Sequence, residues 1–342
     1  MQHEITTSKQ LLDQHGNIAE PGYAKGLLPI YHRSEIKTSA FRIKEWDYYF
    51  VGNDHYGVAL TVADNGYMGL DSITFFNFDE KWEKTSSFMD FFTFGSKNLP
   101  ETSAKGNIRV VSKKYIIEFT HKDDYRILDF KVENFDQGQP MIGRLILSAE
   151  PKESTVIATP FDKPKHFYFN QKINCMRAEG TVTIANKPYV FTKDSSFGVL
   201  DWGRGVWTYK NTWYWGSASG LIDGKSFGFN IGYGFGNTSA ATENMLIHNG
   251  KAHKLSKVTF NIPMKDGTED YLKPWTFTSD DGRFEMDFEP ILDRHSNTAL
   301  LVLSSNQHQV FGKYSGKAIL DDGTVITIKD FMGFAEKVAN AW

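Results

Sequence analysis

The stretch that decides the fold is Asp201-Trp202-Gly203-Arg204-Gly205-Val206-Trp207. It runs on through Trp213-Tyr214-Trp215-Gly216-Ser217-Ala218, then Gly228-Phe229-Asn230-Ile231-Gly232-Tyr233-Gly234-Phe235-Gly236-Asn237, and closes on Thr242-Glu243-Asn244. Aromatic residues alternating with glycine suit strands that pack on one face and are closely approached by backbone or ligand on the other. Two acids and one arginine sit among these rings, and ionisable groups at apolar positions cost free energy unless they are paired or used. The stretch therefore predicts strands and a site.

The pattern on either side is also β. Trp46 to Val51, Tyr56 to Ala63 and Tyr67 to Phe78 are strand-length runs separated by Gly52-Asn53-Asp54 and Asp64-Asn65-Gly66, the latter a strong hairpin signal. Ile108 to Phe119, Tyr125 to Glu133 and Ile142 to Ala149 alternate apolar and polar residues, and strands resume after Ile173 and continue through Val325 to Lys329. The arrangement predicts an up-and-down β-barrel or two stacked sheets, with no βαβ alternation. A short helix over Ile328 to Ala341 is the single helical candidate. Residues 1–33, rich in turn formers, read as a loop-rich lead-in. Proline and lysine concentrate between Pro151 and Pro164, which places a soft boundary near residue 160 and two β domains at 34–160 and 161–342.

Composition narrows the function classes. The 342-residue chain is 15% aromatic, with 27 Phe and 15 Tyr, which favours ring-lined β interiors. A net charge of −3 gives no electrostatic footprint for nucleic acid. No apolar window approaches the roughly 18 residues of a membrane span, and no signal peptide is visible, so the expected location is cytoplasmic. The single cysteine, Cys175, cannot form an internal disulfide and reads as a buried, inert thiol.

Asp201 and Glu243 are the catalytic candidates. A carboxyl against indole rings has its pKa raised by desolvation and can carry a proton near neutral pH; the alternative for Asp201 is an ion pair with Arg204. Trp202, Arg204, Trp207, Trp213, Trp215, Asn230, Tyr233, Asn237 and His166 are the candidate substrate-binding residues. Trp207, Trp213 and Trp215 have the spacing of one strand face and form either core or pocket wall. No metal-ligand spacing occurs: His248 and His253 flank an Asn249-Gly250 turn. Gly232 to Asn237 lacks the context of a phosphate loop, and Gly216 to Gly220 lacks the register of a nucleophile elbow. Neither a cofactor nor a metal is expected.

The Asp201–Trp207 stretch, with Trp213 to Ala218 and Gly234-Phe235-Gly236-Asn237-Thr238, resembles the bacterial family known as domain of unknown function 2804, over nearly the whole chain. More distantly the chain looks like the tandem lipocalin-like carotenoid hydratases, tocopherol cyclase and related pericyclic cyclases. That resemblance implies an all-β fold of two lipocalin-like antiparallel β-barrel or sandwich domains in tandem with little helix, and an apolar ligand pocket between or within them. Together with the candidate acids it points to binding, and transformation by hydration, cyclisation or isomerisation through carboxylic-acid proton transfer, of a hydrophobic, amphiphilic or prenyl-like small molecule in an aromatic-lined pocket. A non-catalytic lipid carrier and a carbohydrate-binding or glycoside-cleaving protein are the alternatives.

Overall fold

The computed structural model describes residues 2–300 and 303–341. The sequence pattern also expects a strand over Ala299 to Leu303, of which residues 301 and 302 lie outside the described residues. The described chain is almost entirely β, and its helix is limited to the 3-10 turns Arg33–Glu35 and Ala40–Arg42. Two curled antiparallel sheets, one of 13 strands and one of 9, form two lipocalin-like half-barrels in tandem.

The first sheet begins as the meander expected from the turn residues: Ile43–Gly52, Tyr56–Asp64, Met68–Asn77 and Trp82–Phe91 pair in sequence. Gly66 takes the positive φ, +80°, that the turn at Asp64–Gly66 requires. Phe197–Val206 pairs with Ile43–Gly52 on one side and with the long Phe167–Ile184 strand on the other. The sheet continues through Gln139–Ser148 and Tyr125–Asp136 to Tyr115–His121 and Ile108–Val111. It curls enough for Phe88, near one edge, to stack on Tyr115, near the other, at 3.8 Å.

The second sheet starts at Lys210–Ile222, which is flanked by Lys225–Tyr233 and by Val325–Ala341. The change of sheet thus falls between Val206 and Lys210, downstream of the expected division at 160/161. The proline-rich segment instead contains Thr155–Pro160, a strand of the first sheet that also pairs with Gly22–Ala24 of the N-terminal lead-in. The helix expected over Ile328–Ala341 is a strand. Its helix-forming residues (Ala335, Glu336, Lys337, Ala339) are overridden by antiparallel partners on both sides, Lys210–Ile222 and Leu303–Ile319.

Period-two alternation assigns each face. Along Phe197–Val206, Leu200, Trp202 and Val206 enter the first half-barrel's core, while Val199 packs between the two sheets. Along Lys225–Tyr233, Phe227, Phe229 and Ile231 enter the core of the second half-barrel. The opposite faces of these strands confront each other between the sheets.

Candidate functional site

Two ladders of side chains meet in that space. On the first sheet Asp201 pairs laterally with Lys172 and Tyr48, and the row continues through Thr61 to Ser72. On the second sheet the row is Trp215, Glu336, Gln309 and Arg294. The two rows line a cavity of about 200 Å³. One end is aromatic: Trp207, Trp213 and Phe235 pack mutually edge-on with centroids 4.9 to 5.8 Å apart, and Trp46 meets Trp207 at 5.3 Å. Glycine is required behind this wall. A Cβ at Gly203 would lie 1.9 Å from the Trp46 ring, so only a bare backbone lets that indole lie over the strand.

The site is strongly polar at its centre. The buried Lys172 places its Nζ 3.0 Å from Asp201 Oδ1 and 4.0 Å from the centroid of the Trp215 ring. Asn170 donates to the same Asp201 oxygen at 2.5 Å. Asp201 is therefore the partner of Lys172 and not of Arg204. Glu243 lines the cavity beside Gly232, where a Cβ would come within 2.7 Å of its Oε1. Desolvation raises the Glu243 pKa; Lys172 opposes the rise and Asp201 adds to it. Asn230 fixes both neighbours, accepting from Trp215 Nε1 at 2.6 Å and donating to the Glu243 carbonyl at 2.8 Å.

Glu336 is buried on the facing strand. Trp213 Nε1 donates to its Oε1 at 2.9 Å and Gln309 Nε2 to its Oε2 at 3.2 Å. The same Gln309 amide donates to Tyr48 Oη at 3.2 Å. Burial pushes the Glu336 carboxyl up to about 7, against the Trp213 hydrogen bond and the charges of Lys172 and Arg294. The cavity thus holds one ion pair and two carboxyls that desolvation shifts toward the protonated form.

Of the sequence-derived candidates, Asp201, Glu243, Trp207, Trp213 and Trp215 converge on the cavity, and Asn230 supports it from behind. The others do not. Trp202 and Arg204 fall on the opposite face of their strand, because they are even-numbered where Asp201 is odd. Arg204 is fully buried in the first half-barrel, 3.0 Å from Asp47 Oδ1, with its guanidinium carbon 4.3 Å from the Trp202 ring centroid. It also donates to the carbonyls of Trp46 and Pro100, each at 2.7 Å. By the same alternation Tyr233 turns into the second core, stacked on Tyr214 at 4.4 Å. Asn237 is exposed and donates to Asp162 at 2.9 Å. His166 is buried against its own turn, Nδ1 lying 2.9 Å from the Pro164 carbonyl oxygen. Cys175 is buried next to Ser219, and burial pushes its thiol up to about 12, which suits an inert cysteine. Among the described residues no three His, Cys, Asp or Glu side chains gather as metal ligands.

The sequence reading missed Lys172, Tyr48, Tyr168, Arg294 and Glu336. A signal existed for Lys172, a cation inside the run Phe167-Tyr168-Phe169-Asn170-Gln171-Lys172-Ile173. Glu336 carried none, since its segment read as helix.

The family model described as "Domain of unknown function (DUF2804)" matches residues 2–342. The chain belongs to that family. No curated protein matches the sequence of this DUF2804 member. Among solved structures it is similar to CghA in complex with Sch210972, with a TM-score of 0.53 at 10% identity, covering 98% of this chain and 97% of that one. It is also similar to kievitone hydratase from Nectria haematococca, with a TM-score of 0.49 at 10% identity, covering 98% of both chains. At this identity the likeness to CghA shows the fold alone.

Proposed function

We propose that this DUF2804 protein binds a hydrophobic or amphiphilic small molecule between its two half-barrels and transforms it by proton transfer from a buried carboxylic acid. The observation that carries this reading is Glu336, a buried carboxyl facing the cavity, pushed up to about 7 and held by an indole N–H. A general acid works best with a pKa near the ambient pH. In this reading the Glu336 proton passes to an alkene or carbonyl group of the ligand. The resulting cation lies beside the carboxylate that the proton leaves behind, an opposite charge in a poorly solvated space. Isomerisation is completed when the cation loses a neighbouring proton back to the Glu336 carboxylate, hydration when water adds and gives up its proton there, and cyclisation when a second double bond adds and the new cation loses a proton there. Asp201 serves as the counterion of Lys172. CghA, solved with Sch210972, supports a small molecule as the occupant of the shared fold.

The carrier alternative is disfavoured by cost. A carrier has no need of two desolvated glutamates, and such groups are expensive to bury without use. The glycoside alternative is disfavoured by packing: Trp207 and Trp213 meet each other and Phe235 edge-on, not as open platforms. The test is to identify, by mass spectrometry, small molecules that the protein captures from cell extract, and then to assay their conversion. Glu336→Gln is expected to lower turnover by about 10²–10⁴-fold, the usual worth of a general acid. Unchanged turnover in both Glu336→Gln and Glu243→Gln would refute the acid assignment.

A further inference from the structure

We infer that the ligand carries an anionic head, of the carboxylate class, which is bound by Arg294 at the end of the cavity remote from the aromatic wall. This inference rests on the binding reading above. Five charged side chains line the cavity: Asp201, Glu243, Glu336, Lys172 and Arg294. Lys172 is matched by Asp201. Arg294 makes one hydrogen bond, from Nη1 to the neutral Gln309 Oε1 at 3.2 Å, and among the described residues no carboxylate lies within ion-pair distance of it. Its nearest neighbour in charge along the row is Glu336, which burial pushes toward the protonated form against the charges of Lys172 and Arg294.

The wall around Arg294 changes character to match. On the strand that pairs with its own, Leu303–Ile319, the next residues lining the cavity are Gln307 and Ser305, an amide and a hydroxyl. Across the second sheet the lining therefore runs from the rings of Trp213 and Trp215, through Glu336 and Val338, to Gln309, Gln307 and Ser305 and then Arg294. A planar guanidinium matches a carboxylate in a bidentate fork. Arg294 lies two strands from Glu336 in the same lateral row, Glu336 to Gln309 to Arg294. The Gln309 amide stands between the two, accepting from Arg294 Nη1 at 3.2 Å and donating to Glu336 Oε2 at 3.2 Å, so a single side-chain amide separates the acid from the proposed anion site.

The test uses 1-pyrenebutyric acid and its methyl ester, an apolar ring system with and without the charge, read by energy transfer from the cavity tryptophans. The wild-type protein is expected to bind the acid at least tenfold more tightly than the ester. Arg294→Gln is expected to bring the acid to the ester's affinity, leave the ester within twofold, and keep the wild-type melting profile; Arg294→Lys should recover part of the loss. Equal binding of acid and ester by the wild type, or equal weakening of both by Arg294→Gln, would overturn the anionic head while leaving the binding reading in place. Failure of both probes to bind would overturn the two together.

Discussion

The Trp213 indole N–H donates to the Glu336 carboxylate at 2.9 Å, joining the first and last strands of the second half-barrel across the wall of the cavity. This bond favours the ionised carboxylate and is the largest effect opposing the rise caused by burial. Trp213→Phe keeps a ring in the wall and removes the donor. Glu336 is then expected to titrate at higher pH than in the wild type, observable by carbon-13 NMR of labelled glutamate carboxyls. A titration unmoved or moved down would show that the hydrogen bond does not hold the carboxylate.

Glu336 also sets a pH dependence of stability. Its folded-state pKa of about 7 lies above the ordinary value of 4.5, so the folded state binds more protons than the unfolded state between these limits. Stability contributed by the neutral carboxyl is full below about pH 4.5 and is lost as pH rises through 7. The shift corresponds to roughly 3 kcal/mol. Glu336→Gln keeps the neutral shape and lacks this loss. Urea melts at pH 5 and pH 8 should show the wild type losing about 2.5 kcal/mol relative to the variant over that interval.

Asp201 and Lys172 are both buried, so removing one strands the other. Asp201→Asn is expected to cost about 3–5 kcal/mol, the penalty for an uncompensated buried charge. The double variant Asp201→Leu with Lys172→Met removes both charges and is expected to be less destabilised than Asp201→Asn. A double variant as unstable as the single one would mean that the pair's geometry, and not its charge balance, holds the wall.

Gly203 seats the Trp46 ring. Gly203→Ala drives a methyl group to 1.9 Å from that ring, so the indole must move into the cavity or the strand must shift. The expected loss is about 1–3 kcal/mol or more in a urea melt, accompanied by loss of small-molecule binding.

Arg204 separates structural charge from functional charge. Arg204→Met leaves Asp47 buried without its cation and is expected to cost about 3–5 kcal/mol. Probe affinity of the surviving folded fraction should stay within twofold of wild type, because Arg204 faces away from the cavity. A tenfold fall in affinity would place the first half-barrel's ion network in the site.

The strands were legible because their signals are local, while the tandem lipocalin-like arrangement was legible only through the family resemblance. Asp64-Asn65-Gly66 closes a hairpin, and alternation along Ile108 to Phe119 marks a half-buried strand. The cavity was legible in part for the same reason, since Asp201, Trp213 and Trp215 lie in one dense stretch. What the sequence could not show is which face of a strand meets which partner. Arg204 looks like a neighbour of Asp201 at three residues' distance, yet one odd and one even position put them on opposite sides of the sheet. Glu336 reaches Trp213 across 123 residues, through a strand whose alanines, glutamate and lysine mimic a helix. Only the pairing on both of its sides settles its form, and pairing is a long-range fact.

Phe197–Val206 presents Trp202 and Arg204 inward to its own half-barrel and Asp201 outward to the shared cavity, and this division has a consequence for how the cavity can be altered. Outward positions shape what the cavity accepts, and at Asp201 and Gly203 they also hold its wall, through the ion pair with Lys172 and the seat of the Trp46 ring. Inward positions such as Trp202 and Arg204 are locked by the neighbours they touch. A change of chemical preference in this scaffold therefore has to begin at outward positions that carry neither a charge partner nor a ring seat.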